Sequence, residues 1–143
     1  MKAILLTSRF SFFSLHWENL IENLDSQGYE IIFISKVDID IQSYDKNFNH
    51  KIIDIDINRS SISPLTVIKD SYKIFKEIKM IQPDVFHSFY FKPSLLSLFA
   101  TLFLRRKIRF FFHLTGLGYL GNSSNIKSKV LFLVNRFHWA NGS

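Results

Sequence analysis

The chain has 143 residues, 47% of them hydrophobic and 16 of them Phe, with a formal net charge of +6. That is the size and apolar content of one folded domain, and it excludes an intrinsically disordered chain. The absence of Cys excludes disulfides and thiolate metal sites and makes a reducing cytoplasm the easier compartment.

"KAILLT" at residues 2–7 is short, wholly apolar and reads as a buried first strand. Its apolar run of about five residues falls short of the roughly 7–15 of a signal-peptide core, and no small-residue cleavage site follows. In "SLHWENLIENLDSQG", Leu15, Leu20, Ile21 and Leu24 recur at near-helical spacing. Ser14 stands where an N-cap belongs, and Gly28 where a helix ends in a left-handed residue. "YEIIFIS" (29–35) reads as a second buried strand, and the polar stretch after it as a loop or weak edge element. "HKIIDIDI" (50–57) alternates apolar and polar, as a third strand does.

"SPLTVIKDSYKIFKEIKMIQ" has the strongest helical signal. Ser63 caps it, and Pro64 takes the first helical position. Leu65, Ile68, Tyr72, Phe75 and Ile78 form one apolar stripe with lysines on the other side, so this stripe is expected to face the core. "DVFHSF" (84–89) is a fourth strand. Pro93 opens the next helix, "PSLLSLFATLFL", which is apolar nearly all round and therefore buried, and too short for the roughly 20 residues a bilayer needs. "RRK" at 105–107 suits its C-terminal dipole end. "IRFFFHLT" (108–115) is a fifth strand, and residues 125–139 form a last amphipathic helix.

Alternating strands and helices imply an α/β, Rossmann-like parallel sheet of about five strands with helices on both faces, in a single domain over residues 1–143. Ligands of such sheets bind beyond the carboxyl ends of the strands. The loops at that rim are "SRFSFFS", "NRSSIS", "HSFYFK" and "TGLGYLGN".

The last of these contains Gly116, Gly118 and Gly121 in a G-x-G-x-x-G pattern. A dinucleotide site needs those glycines after the first strand of its unit, with an acid about 20 residues on for the ribose. Here they follow the fifth strand and no acid occurs after Asp84, so no nicotinamide or flavin cofactor is expected. The glycines remain either a plain loop with left-handed turns or a loop whose backbone approaches a ligand.

His87 closes the fourth strand, and Lys92 precedes a helix start. His113 and Thr115 share one face of the fifth strand, with His113 the deeper and expected in the core. His16 on the first helix faces the first loop. Phe10, Phe12 and Phe13 beside Arg9 form either a stacking surface or a cluster under a loop. The five histidines show no H-x-x-x-H spacing or carboxylate pairing, so no metal site is expected. Nor is there a G-x-S-x-G, P-loop or nucleic-acid recognition motif, so no nucleic-acid partner is expected. Charge is unevenly placed: residues 1–84 hold 10 basic and 12 acidic side chains, and residues 85–143 hold 8 basic and none acidic. The second half is therefore either a solvated basic surface or one that meets phosphate or an anionic membrane.

Three stretches together resemble a known family. They are "SFFSLHWENLIENLDSQGYEIIFIS", "INRSSISPLTVIKDSYKIFKEIKMIQPDVFHSFYFKPSLLS" and "TGLGY". Over residues 1 to about 136 the chain is similar to the N-terminal, acceptor-side domain of family 4 glycosyltransferases, nearest the bacterial branch that builds capsule, O-antigen and lipooligosaccharide. The resemblance implies one half of a two-domain GT-B architecture. It implies a retaining transfer of a hexose or N-acetylhexosamine from a nucleotide-sugar to a lipid-linked glycan. Ser8, Arg9, Phe12, His16, Arg59, Lys92, Gly116, Gly118 and Tyr119 would then line the acceptor cleft, with His87 and Thr115 as catalytic candidates. Many relatives have His-Gly where this chain has Thr115-Gly116. A hydroxyl is no base near neutral pH, so no general base is assigned. The family's donor-binding C-terminal domain is not in the sequence, so the nucleotide-sugar is expected on a missing domain or a partner chain, and the chain alone is expected to be a truncated, inactive half. The expected location is the cytoplasm, with peripheral attachment to the anionic inner face of the membrane. The alternative is a non-catalytic basic module that binds a membrane surface or a partner subunit.

Overall fold

The computed structural model describes residues 1–45, 48–57, 63–102, 104 and 108–113, apart from the side chains of residues 14–16 and 44. Among them, strands β1 (Lys2–Arg9), β2 (Glu30–Lys36), β3 (Lys51–Asp54), β4 (Val85–Phe89) and β5 (Arg109–His113) form one sheet in the order β3-β2-β1-β4-β5. Every pairing is parallel. The central strands are buried along almost their whole length, as β-branched and aromatic runs covered on two faces must be. This is the Rossmann-like α/β layer expected from the alternation.

The helices divide between the faces. Helices α1 (Ser11–His16), α2 (Glu18–Ser26) and α3 (Ile41–Tyr44) belong to one side, where Phe10, Phe13 and Leu24 pack on Ala3, Leu5, Phe33, Val85 and Phe89. On the other, α4 (Pro64–Ile81) and α5 (Phe91–Thr101) pack Ile74, Ile78, Leu96 and Ala100 on Ile4, Leu6, Ile32, Ile34 and Phe86. Odd residues of β1 and β4 thus face α1 and α2, and even residues face α4 and α5, as the two-residue pleat requires.

Five expectations are corrected. The first helix is two, broken at Trp17, and Ser14 lies inside α1 instead of capping it. The cap comes from elsewhere: the Asp38 carboxylate accepts the Ser11 amide (2.9 Å) and the Ser11 hydroxyl (2.7 Å). Partial burial opposes the charge on Asp38, but those bonds and the nearby Arg9 charge hold its pKa below the usual range. The other helix end is as expected: Gly28 adopts φ 76°, its amide reaches Asp25 and that of Tyr29 reaches Leu24, closing a left-handed C-terminal turn.

Second, α5 starts at Phe91, so Pro93 lies in its first turn, where no helical amide bond is lost. Third, the polar stretch after β2 contains α3, capped by Asp40. Fourth, β1 runs on to Arg9, so Ser8 and Arg9 are strand residues; the pairing with β2 slips between Leu6 and Arg9.

Fifth, α4 is turned so that only Ile78 and part of Phe75 of the expected stripe face the core. Ser63 caps it and Pro64 opens it as expected, but the buried residues are Val67, Asp70, Ser71, Ile74, Ile78 and Ile81. Leu65 is 81% exposed, Ile68 66% and Tyr72 56%. The helix carries two apolar stripes, and the β-branched one fits the sheet. Its polar interruption, Asp70, is paired through one oxygen, which Lys73 bonds at 3.3 Å, while its buried Oδ2 has no partner among the described residues.

Candidate functional site

From β1 the chain winds outward through β2 and β3, then returns to β4 beside β1 and continues to β5. The crevice at the carboxyl ends of β1 and β4 is therefore where the order reverses, the place where open α/β sheets bind ligands. His87 does not close β4 as expected but lies mid-strand below this point, opposite Leu5, on the same side of the sheet as Val85 and Phe89, that of α1 and α2.

Register settles the depths of the two histidines. His87 pairs with Phe111, and His113 pairs with Phe89, one pleat repeat nearer the rim. His113, expected in the core, is thus only half-buried; Thr115, the residue it was expected to lie deeper than, is outside the described residues. His87 is 6% exposed and His113 half-buried. Both lie on the same face of the sheet, so their rings meet: His87 Nδ1 and His113 Nε2 are 2.8 Å apart. Phe111 stacks on His87 at 4.8 Å, and Phe89 on His113 at 4.5 Å.

Burial, and to a lesser extent the neighbouring His113, together lower the pKa of His87 from 6.5 to about 4; burial lowers that of His113 too. Both rings are therefore neutral near pH 7. One donates the shared N–H and the other accepts it. Whichever tautomer holds, His87 Nε2 and His113 Nδ1 are then one donor and one acceptor. A hydroxyl-rich ligand can satisfy either arrangement, since each hydroxyl both donates and accepts.

The turn from β4 into α5 is strained. Tyr90 has φ 70° and ψ 167°, a conformation natural only to glycine and worth about 1–3 kcal/mol. Hydrogen bonds hold it there. Its amide donates to the His113 carbonyl (2.9 Å), and its own carbonyl accepts the Ser94 amide (3.2 Å) and hydroxyl (2.7 Å). The turn thus latches the end of β5 to the start of α5. It also brings the half-buried Tyr90 ring 5.5 Å from Phe12 of α1. Trp17, at the break between α1 and α2, lies 4.5 Å from Phe89 and 5.0 Å from His113. Its indole nitrogen is buried and finds no acceptor among the described residues. The result is an aromatic rim of Phe12, Trp17 and Tyr90 beside two hydrogen-bonding imidazoles.

The other expected site residues divide. Phe12 joins this rim, whereas Phe10 and Phe13 are core, packed edge-on against Phe33. Ser8 is buried at the end of β1. Arg9 is exposed on the β2 side, where its charge is felt by Asp38 and Asp56. Lys92 is half-buried in the first turn of α5; burial lowers its pKa and the nearby Asp70 carboxylate partly restores it, which draws it toward α4. Arg59, Thr115, Gly116, Gly118 and Tyr119, and the His16 side chain, lie outside the described residues.

The sequence did not point to Trp17, Tyr90 or the half-buried, rim-ward position of His113. Only the last left a trace, in the parity His113 would share with His87 once the fourth and fifth strands pair in register. Among the described residues no three His, Asp or Glu gather closely enough to hold a metal ion. No described helix is long and apolar enough to cross a membrane.

Residues 2–137 match the family described as glycosyl transferase 4-like. Among solved structures, a glycosyltransferase from Rickettsia africae superposes with TM-score 0.60 at 20% identity, covering 78% of this chain and 29% of that one. MurG of Acinetobacter baumannii gives 0.54 at 16% identity, covering 78% and 34%. Sucrose-phosphate synthase of Thermosynechococcus elongatus gives 0.56 at 10% identity, covering 94% and 39%. The chain therefore spans about a third of the length of these proteins, and at such identities the likeness is one of fold alone. No curated protein matches the chain.

Proposed function

The chain belongs to the glycosyl transferase 4-like family, and from that premise we propose that it is the acceptor-side half of a retaining glycosyltransferase. On this reading the enzyme moves a hexose or N-acetylhexosamine from a nucleotide-sugar to a lipid-linked glycan during synthesis of a bacterial surface polysaccharide. The nucleotide-sugar is held by a second domain or chain. The observation that carries the proposal is the His87–His113 pair at the reversal point of the sheet, framed by Phe12, Trp17 and Tyr90. Neutral imidazoles suit sugar hydroxyls, and aromatic faces suit the apolar side of a pyranose ring.

His113 joins the acceptor-binding residues as the one nearer the rim, and His87 acts behind it by setting its tautomer. Ser8, Arg9, Lys92, Arg59, Gly116, Gly118 and Tyr119 are proposed as further acceptor contacts. Neither histidine is given the role of base; retention here rests on attack from the face of the departing phosphate.

The test is transfer from UDP-glucose and UDP-N-acetylglucosamine to a polyprenyl-diphosphate sugar, with the chain alone and mixed with a donor-binding half of the same family. The expected result is acceptor binding by the chain alone, read from quenching of Trp17 in a Trp139→Phe background, and transfer only in the mixture. Transfer by the chain alone would misplace the donor site. Neither binding nor transfer would remove the reading in favour of a non-catalytic module.

A further inference from the structure

The strained turn at Tyr90 is held from the face of the sheet that the two histidines do not use. Ser88 stands between His87 and Phe89 on β4, so the pleat turns it toward α4 and α5. There its hydroxyl donates to the Ser94 hydroxyl of α5 at 3.0 Å. The Ser94 hydroxyl donates in turn to the Tyr90 carbonyl at 2.7 Å, and the Tyr90 amide donates to the His113 carbonyl at 2.9 Å. Ser88 and Ser94 are both buried. A line of hydrogen bonds therefore runs from β4 through the start of α5, over the rim and onto β5.

The line has a direction. A serine hydroxyl has one proton to donate, and because Ser94 accepts from Ser88 its own proton is left for the Tyr90 carbonyl. A hydroxyl that accepts while it donates is polarised and donates more strongly. The other donor to that carbonyl, the Ser94 amide, lies at 3.2 Å, the long end of the range. Both peptide groups of Tyr90 are thus tied, one to α5 and one to β5, and together they over-determine φ 70° and ψ 167°. A return to negative φ rotates the amide against the ring, so the bond to His113 and the contact with Phe12 cannot both keep their geometry.

We propose that Ser94, with Ser88 behind it, is a positioning residue for the acceptor site: from the opposite face of the sheet it keeps Tyr90 in its strained turn and so sets the Tyr90 ring and the His113 end of β5 beside the histidine pair. This rests on the acceptor reading of that site. Neither serine touches the acceptor. Ser97 is the matched control. It is buried on the same helix and its hydroxyl donates to the Ser94 carbonyl at 2.9 Å, but it stands outside the line to Tyr90.

Two measurements on the isotope-labelled full chain test it. Hydrogen exchange at the Tyr90 amide reads the turn. Quenching of Trp17 by the polyprenyl-diphosphate sugar, in the Trp139→Phe background, reads the site. Ser94→Ala should speed exchange of the Tyr90 amide about five-fold more than Ser97→Ala does, and weaken acceptor binding about five-fold, the worth of one hydrogen bond. Ser88→Ala leaves the Ser94–Tyr90 bond in place and should change both by about two-fold. Ser97→Ala should lower the melting temperature as much as Ser94→Ala does, yet bind the acceptor as the parent does.

The proposal fails if the Tyr90 amide responds no more to Ser94→Ala than to Ser97→Ala. It fails equally if that amide responds while acceptor affinity stays at the parent value. Should Ser94→Ala not fold, Ser88→Ala against Ser97→Ala decides in the same two ways. No binding by the parent itself is failure of the acceptor reading, and the exchange comparison alone then upholds or overturns the hold on the turn.

Discussion

A histidine that stays neutral inside a folded protein makes stability depend on pH in a definite direction. Folded His87 takes up its proton near pH 4, whereas the unfolded side chain does so near 6.5. Between those values the unfolded chain binds more protons, so stability falls as pH falls through that window and levels off below it. The ceiling on this effect is about 3 kcal/mol, and His113 acts in the same direction. His87→Gln should flatten the loss between pH 6.5 and 4, measured as urea midpoints; an unchanged slope would refute it. Asp38 and Asp56 act elsewhere: their pKa values are lowered from 3.8, so their contribution is present above that value and lost below it. Tyr90 offers a second test. Tyr90→Ala and Tyr90→Gly both lose the ring, but only Gly is at ease at φ 70°. Tyr90→Gly should therefore be the more stable of the two by about 1–2 kcal/mol in thermal or urea unfolding; equal stabilities would mean the turn is not strained.

At the scale of an element, α4 shows why periodicity alone misleads. Two stripes of similar hydropathy run along it, and Ile78 belongs to both readings. Leu65, Ile68 and Tyr72 form the smoother one, yet the sheet takes Val67, Ile74, Ile78 and Ile81, with Asp70 and Ser71 among them. The side facing the sheet can include a carboxylate because Lys73 is within reach, a partnership that hydropathy does not register. The orientation has a direct check. Ile74→Ala should cost about 2–4 kcal/mol of unfolding free energy, and Leu65→Ala should stay within about 0.5 kcal/mol. The reverse result would turn the helix round. The first helix teaches a related lesson. Ser14 has the right chemistry for a cap, but Asp38, reaching across from beyond β2, supplies it.

At the scale of the molecule, the parallel sheet and the side of each crossover follow from the order of elements. From β1 to β3 the chain advances in one direction and from β4 to β5 in the other. Crossovers of one hand then place α1 to α3 on one face and α4 and α5 on the opposite one. The reversal leaves a crevice between β1 and β4, and the residues that reach it come from positions 12, 17, 87, 90 and 113. Among the described residues, Lys69, Lys76 and Lys79 of α4 are exposed, in the half of the sequence whose net charge is negative.

The amino-acid sequence by itself determined the class of fold, the order of strands and helices along the chain, the caps at Ser63 and Gly28, and the family, because each depends on short-range pattern or on motifs in order. The tertiary structure alone decided which stripe of α4 is buried, how deep each histidine lies, and that Trp17 and Tyr90 stand beside them. Those outcomes depend on pairing register and on competition between near-equal faces, which are settled only when segments distant in the chain come into contact.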